Sequence, residues 1–510
     1  MNAPAWLQRN VFKLLPTERS ASNVVAAPVE NAQAAIEIEA DANTSRTTVN
    51  LVSGNFVASS QRLRSTRERL AGTLRRNEEA LSPRVLRRTL GALQAIVDSQ
   101  ISEVEGGRRA GDLALWYDTA TLAQRRDCWL LMSEQFAPDP KKVQAARGQY
   151  DAAQNTSDEG AAEIRLRRAL VSPRTRLLQR FAVSSGGMRF LVQMRCELLP
   201  HLKTEKRLLA LDAELENLFS TWFDIAFLEL RRISWDSPAS LIEKLIKYEA
   251  VHDIRDWNDV KNRLDSDRRC YGFFHPQLLN EPLIFVEVAL LHALPQAIFP
   301  LLDESAAAED ISKATTAIFY SISNTQPGLR GVSFGDSLIK RVVETLKVEF
   351  PSLKTFATLS PIPGLRPWLS KNAGAMLDKL DAKARTALAQ SVGTEAITAP
   401  QLLVAFDKPL ALDAKSPLGH MLMQCAAHYL TCEMVDGKPV DPVARFHLGN
   451  GARIERLNWV GDPSTKGIKQ SFAMMVNYVY DLQRLDKYRT GFGKGKIAAS
   501  RDIQGLKFRV

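Results

Sequence analysis

The chain has 510 residues, 45% hydrophobic and 24% charged, the balance of a soluble globular protein of two or three domains and not of a disordered or membrane-embedded chain. Its formal net charge of +10 favours an anionic partner: nucleic acid, an anionic membrane surface or a phosphorylated small molecule. No nucleic-acid motif accompanies that charge, and the arginines of 62–88 and 165–180 fall in helical stretches where a solvated face is the simpler reading.

Residues 1–61 mix Ala, Asn, Ser, Thr and Glu without sustained periodicity and read as a mobile arm, with a short amphipathic start at Trp6–Leu15. Basic residues are present there but no apolar signal core, so no secretory peptide is expected. Over 62–220, arginine-rich segments with leucine at helical spacing recur, among them SPRVLRRTLGALQAIVDSQ and TRLLQRFAVSSGGMRFLVQMRCELL, and predict an all-helical domain. Ser82 and Pro83 suit a helix start, Gly186 and Gly187 a break. The character changes at FDIAFLELRRISWDS (Phe223–Ser237), which is β-compatible, so a second domain is expected over 221–510. Within it, the run Pro282–Leu302 approaches membrane-spanning length, but Glu287, His292 and Pro295 interrupt it; a buried strand followed by a helix is predicted.

The most informative stretch is 315–364. Thr315–Ser323 (TTAIFYSIS) is uncharged and β-rich, as in a strand buried on both faces. The loop NTQPGLRGVSFG follows, with Gly328, Gly331 and Gly335 placed for tight turns and close approach of main chain to a ligand. Asp336 can cap the next helix, in which Leu338, Ile339, Val342, Val343 and Leu346 form one apolar stripe, and Pro351 ends it. Lys354–Ser360 is a second strand. Strand, loop, helix and strand make a right-handed βαβ unit with parallel strands, placing the loop at a helix amino end suited to a pyrophosphate. Ser360, at the carboxyl end of the second strand, shares that edge of the sheet.

Residues 365–440 read as mainly helical, with one charged helix around Ala375–Gln390. In HMLMQCAAHYLTC, Cys425, His428 and Cys432 would share a helix face and imitate a metal site, although a core face explains them better and no metal is expected. The five cysteines, odd in number and scattered, argue for a reducing compartment, here the cytoplasm. His447 stands in a polar, glycine-flanked turn, FHLGNG, where an imidazole can face a ligand, whereas His275 and His292 read as structural. A helix near Lys469–Leu482 and an exposed basic arm after Thr490 complete the chain. Gly331–Gly335 (GVSFG) also fits a nucleophile elbow with Ser333 as nucleophile and His447 as base, but Asn324–Arg330 separates it from the strand that an elbow requires.

FYSISNTQPGLRGVSFGDSLIKRVV, FATLSPIPGLRPWL, VARFHLGNGARIERLNW and DRRCYGFFHP followed by EPLIFVEVAL together resemble malonyl-CoA decarboxylases, over most of 223–485. The resemblance implies an α+β fold, with an all-α helical bundle domain followed by a mixed α/β catalytic domain of the GNAT (acetyltransferase-like) type. There the coenzyme A pyrophosphate lies on the loop after a central strand, and the acyl-pantetheine arm passes between two splayed parallel strands. It further implies that Arg330, Gly331, Val332, Ser333, Phe334, Gly335 and Asp336, with Gln326 and Gly328, contact the coenzyme A moiety. Ser360 and His447 are then the catalytic pair, the serine as proton acceptor and the histidine as donor. Malonyl-CoA and acetyl-CoA are the implied partners, without nucleic acid or membrane insertion. No metal or organic cofactor is implied, coenzyme A entering as part of the substrate, and the helical domain implies a homo-oligomer such as a tetramer. Two other readings stand beside this one: a GNAT-type acyltransferase needing an amine acceptor, and a non-catalytic coenzyme A-binding protein.

Overall fold

The structure, a computed structural model, describes residues 80–278, 280–332 and 338–508. The arm predicted over 1–61 and the loop residues Ser333, Phe334, Gly335 and Asp336 lie outside the described residues.

Among the described residues eight α-helices come first: α1 (Pro83–Val97), α2 (Glu103–Thr119), α3 (Leu122–Gln135), α4 (Pro140–Ala153), α5 (Glu159–Leu170), α6 (Pro173–Val183), α7 (Gly187–Leu198) and α8 (Leu209–Trp222). Most begin where a short polar side chain takes up a free N–H: Ser82 accepts from Val85, Ser102 from Glu105, Asp139 from Lys141, and Thr121 forms a capping box with Gln124. Leu86, Leu90 and Leu93 of α1, Leu177 and Phe181 of α6, and Leu211, Leu215 and Phe219 of α8 are buried on facing stripes. Gly186, with a φ of 73°, makes the corner between α6 and α7.

The arginines of this region are not all solvated, contrary to the charge-run reading. Arg174 is buried and donates to the carbonyls of Met132, Ser133 and Ala210. Arg180 is buried too and donates to the carbonyls of Ile96, Asp98 and Ile101. Arg174 thereby satisfies carbonyls of the last turn of α3, and Arg180 one of the last turn of α1 and two of the loop after it, which no local pattern reveals.

The second region is built on a mixed sheet. Its elements are β1 (Glu229–Ile233), α9 (Ala239–Tyr248), α10 (Trp257–Arg263), β2 (Arg268–Phe274), β3 (Pro282–Leu291), the single turn α11 (Phe299–Leu302), β4 (Thr316–Asn324), α12 (Leu338–Glu349), β5 (Thr355–Thr358) and β6 (Ser360–Pro361). There follow α13 (Leu365–Asp378), α14 (Ala382–Val392), α15 (Ala399–Phe406), α16 (Pro417–Cys432), the hairpin of β7 (Met434–Val435) and β8 (Lys438–Pro439), α17 (Pro442–Gly449), β9 (Arg453–Asn458), α18 (Thr465–Ser471), β10 (Met475–Val479), α19 (Leu485–Gly493) and α20 (Arg501–Gly505). Strands pair in the order β1, β2, β3, β4, β5, β10, with β10 also pairing β6 and β9. All pairs are antiparallel except β4 and β5, which run parallel from Thr316 opposite Thr355 to Phe319 opposite Thr358. Alternation along the strands separates two cores. Ala317 and Phe319 of β4 join the larger one, shared with the helices, and Ile318 and Tyr320 the smaller one with Ala289 and Leu301.

The βαβ unit has the element order and parallel strands read from the sequence, and Leu338, Ile339, Val342, Val343 and Leu346 are the buried stripe of α12, but the second strand ends at Thr358 and Ser360 belongs to the separate strand β6. The run Pro282–Leu302 is β3 followed by the turn α11, and among the described residues no helix is long and apolar enough to cross a membrane. Three expectations fail. The charged helix around Ala375–Gln390 is two helices, because Asp381 caps α14 by accepting from Ala384. The helix expected at Lys469–Leu482 stops at Ser471: Phe472 and Ala473 both take left-handed conformations, with φ of 53° and 61°, and the chain re-enters the sheet as β10. Nor is the tail an exposed arm. Ala499 bridges Ile454, and Ile503 and Phe508 are buried.

The stripe on α12 gives a direct contrast. Leu346→Ala removes a fully buried side chain and costs about 2–5 kcal/mol, whereas its exposed neighbour Lys347→Ala stays within about 0.5 kcal/mol. Thermal unfolding of the two variants checks this, and equal effects would contradict the stripe.

Candidate active site

The site exists because β4 and β5 part. The amide of Leu359 still donates to the carbonyl of Phe319 at 3.1 Å. One residue later the chain has changed neighbours: Ser360 and Pro361 pair with Val476 and Met475 of β10. β4 meanwhile runs on to Asn324 paired with β3. The ladder between β5 and β10 is interrupted here, and side chains bridge the lapse. Asn477 donates to the Thr358 carbonyl at 2.9 Å, and the Tyr478 amide donates to Thr358 Oγ1 at 3.3 Å.

The wedge between the diverging strands is a cavity of about 470 Å³. Phe319, Tyr320, Ser321, Ile322 and Asn324 of β4 form one wall, Ser360 and Pro361 a second, and Pro442, Val443, Arg445, Phe446 and His447 of α17 a third. Val332 of the glycine loop and Leu338 at the start of α12 complete its lining. Among its described lining residues Arg445 is the sole lysine or arginine and no carboxylate is present.

His447 is not in a turn, as its glycine-rich surroundings suggest, but in the last turn of α17, whose start is fixed by Asp441 accepting from Ala444, with Pro442 in the first helical position. The helix carries the imidazole into the wedge. His447 Nε2 lies 3.2 Å from Ser360 Oγ, Nδ1 lies 2.7 Å from the hydroxyl of Tyr480, and the ring stacks on Tyr478 at 4.7 Å between centroids. Ser360 Oγ in turn donates to Thr358 Oγ1 at 2.8 Å.

Burial sets the protonation of this group. It pushes the His447 pKa down to about 3, so the ring is neutral, and drives the Tyr480 phenol well above its usual value, so that hydroxyl keeps its proton. The Ser360 hydroxyl is directed to Thr358 Oγ1, so its oxygen accepts from the ring, which places the single ring hydrogen on Nε2 and leaves Nδ1 to accept from the Tyr480 hydroxyl. One orientation then satisfies every member of the chain: Tyr480 O–H to Nδ1, Nε2–H to Ser360 Oγ, Ser360 O–H to Thr358 Oγ1. The result is a neutral imidazole N–H facing a cavity that holds a serine hydroxyl.

The other residues singled out in the sequence fall elsewhere. Gly328 is buried against the helical region, where a Cβ would lie 2.0 Å from the Val192 carbonyl, so its small size serves packing. Gln326 donates to Thr325 Oγ1 at 3.1 Å and does not line the cavity. Arg330 is exposed, and its carbonyl accepts from Arg195 at 2.7 Å. His275 packs on Phe223, and His292 pairs with Glu309 at the surface. Cys425 is core, His428 lies 3.2 Å from Glu433, and among the described residues no group of three His, Cys, Asp or Glu could hold a metal. Sequence reasoning missed Thr358, Tyr478 and Tyr480. The signal for the two tyrosines was the alternation in VNYVY, which in a strand puts Val476, Tyr478 and Tyr480 on one face.

Comparison with known proteins gives a consistent result. The family model "Malonyl-CoA decarboxylase C-terminal domain" matches residues 226–509, and "Malonyl-CoA decarboxylase N-terminal domain" matches 136–223. The mitochondrial malonyl-CoA decarboxylase of Anser anser anser is 34% identical over 439 residues, covering 81% of this chain and 86% of its own; that of Rattus norvegicus is 34% identical over 429 residues, 78% and 85%. The crystal structure of malonyl-CoA decarboxylase from Rhodopseudomonas palustris superposes with a TM-score of 0.71 at 41% identity, covering 82% of this chain and 99% of that one. The enzyme from Agrobacterium vitis gives 0.72 at 38% identity, with coverage of 83% and 100%. The chain belongs to the malonyl-CoA decarboxylase family.

Proposed function

We propose that this chain converts malonyl-CoA to acetyl-CoA and CO2 through a thioester enolate, with His447 as acid and Ser360 as its partner. The observation that carries the reading is the contact of a serine hydroxyl with a neutral imidazole N–H inside the wedge between two parting parallel strands.

The substrate's carboxylate is β to a thioester carbonyl, so cleavage of the C–C bond leaves the electron pair delocalised onto the carbonyl oxygen. The chemistry calls for no metal or organic cofactor. It calls for a donor to that oxygen, an orientation that sets the breaking bond perpendicular to the carbonyl plane, and one proton for the product carbon. The Nε2–H of His447 is placed for the first task. The bound anion also raises the affinity of the imidazole for a proton; the ring takes one from solvent at Nδ1, and the imidazolium so formed passes its Nε2 proton to carbon and returns to the neutral form. Ser360, turned by Thr358 and Nε2, holds the carboxylate or thioester oxygen. One such donor is worth about 100- to 1000-fold and a placed acid about 100- to 10,000-fold, so two side chains are proportionate to the task.

Delivery follows from the same geometry. Beyond Phe319 the main chain of β4 pairs with β3 alone, and its other edge faces the cavity, where the amides of a pantetheine arm can add as a short strand. The loop after β4 and the start of α12 lie where a helix amino end favours the pyrophosphate. Apolar walls from Val251, Ile284, Phe319 and Leu338 exclude water from the reacting end. The unpaired thiols of all five cysteines support a reducing compartment, the cytoplasm. Exposed Val104, Leu115 and Val183 beside a groove between α2, α6 and α7 support self-association of the helical region as a homo-oligomer such as a tetramer.

Incubating the purified protein with malonyl-CoA alone yields acetyl-CoA and CO2; product only when an amine is added would favour the acyltransferase reading, and none at all would remove the decarboxylase. Ser360→Ala and His447→Asn each lower kcat about 100-fold or more while CoA affinity persists. Tyr480→Phe keeps the ring but loses the donor to Nδ1 and costs on the order of tenfold. The depressed pKa of His447 also has a sign in stability. The unfolded ring binds a proton below about 6.5 and the folded ring only below about 3, so this residue lowers stability as pH falls through that interval. His447→Asn therefore loses less of its thermal midpoint between pH 7 and pH 5 than the native protein does, and an equal or larger loss would contradict the buried neutral ring.

A further inference from the structure

We propose that Arg195, on α7 of the helical region, is a positioning residue for the stretch Gly328–Gly331 that follows β4. This rests on the reading that this loop receives the coenzyme A moiety. The Arg195 side chain is 1% exposed and stands between two sets of partners. Toward α8, its Nε donates to Asp212 at 2.8 Å and its Nη2 to Glu216 at 3.0 Å. Toward the loop, its Nη1 donates to the carbonyl of Gly328 at 3.0 Å and to that of Arg330 at 2.7 Å. Two carboxylates thus orient a planar fork, and the fork fixes two main-chain carbonyls of the loop.

The consequence for a ligand comes from the peptide unit. A trans peptide is planar, with its N–H opposite its C=O, so binding the Arg330 carbonyl turns the Gly331 N–H away from the helical region. Gly331 has a φ of 85°, a conformation that side-chain-bearing residues rarely adopt, and on its inner side a Cβ would stand 3.3 Å from Glu216. Gly328 lies tight on the Val192 carbonyl of α7. Carbonyls drawn inward and an amide left outward is the polarity that an anion-binding loop requires. A helix remote from the reacting atoms therefore shapes the loop, and the helical region contributes to substrate affinity in addition to any role in assembly.

A buried arginine that only joined two parts of the fold would alter thermal stability without changing how substrate is bound. The test uses the full chain, with CoA affinity by calorimetry, steady-state kinetics with malonyl-CoA, and three variants. Arg195→Lys retains the charge but not the fork, and Asp212→Asn leaves Arg195 in place with a weaker anchor. Both are expected to raise the Kd for CoA and the KM for malonyl-CoA, by about tenfold for Arg195→Lys and by less for Asp212→Asn, with kcat at saturation close to native. Arg330→Ala, on the loop itself, separates the two possible failures. If it weakens CoA binding while both other variants, folded, bind CoA as the native protein does, the role of Arg195 is overturned and the loop reading stands. If Arg330→Ala also binds CoA unchanged, the loop reading falls and this inference with it.

Discussion

The parallel pairing of β4 with β5 carries the site. It lasts four residues on each strand and then fails, because β10 takes over as neighbour to Ser360 and Pro361 while β3 keeps β4 to Asn324. Two strands that stayed paired would leave no room between them; two that never paired would not hold a serine and an incoming ligand at one level. The neighbouring strands hold the wedge open from opposite sides, so the opening does not depend on a mobile segment. Thr358 secures the branching point, its carbonyl and hydroxyl both engaged by Asn477 and Tyr478 of β10.

What the wedge contains follows from burial. A histidine in water would be partly charged near neutrality; enclosed against Tyr478 and Tyr480 it is held neutral, and with the Ser360 hydroxyl directed to Thr358 the orientation that satisfies the whole chain puts the ring hydrogen on Nε2. The same enclosure strengthens any hydrogen bond that the N–H makes to a developing negative oxygen. A neutral donor and a hydroxyl suit a reaction in which charge moves from a carboxylate to an enolate oxygen. A nucleophilic hydrolase would need the reverse arrangement, with Nε2 accepting the proton of its nucleophile.

Legibility in the sequence tracked how local each signal was. The run Thr315–Gly364 was readable because an uncharged β-rich stretch, a glycine loop and a 3.6-period stripe are written in consecutive residues, and the helical stretch up to Trp222 likewise. β10 was missed although VNYVY alternates as a strand does, because nothing marks Phe472 and Ala473 for the left-handed backbone that ends the preceding helix. His447 was found as a candidate but put in a loop: the glycines after it dominated, although Asp441-Pro442 already spelled a helix start. The buried arginines were invisible for a related reason. Arg174, Arg180 and Arg195 bind carbonyls dozens of residues away, and a run of arginines looks the same whether its members face water or a helix end. Most of the site's chemistry was thus legible as residue types, while the geometry that gives them a role was decided by tertiary pairing.

The most direct measurement is a crystal structure of the protein with a ketone analogue of malonyl-CoA, in which a methylene replaces the thioester sulfur and a sulfonate replaces the carboxylate so that no CO2 can be lost. The account predicts the pantetheine arm between β4 and β6 along the free edge beyond Phe319, and the carbonyl oxygen of the analogue within hydrogen-bonding distance of His447 Nε2. An analogue seated elsewhere, or one whose carbonyl turns away from both Ser360 and His447, would contradict it.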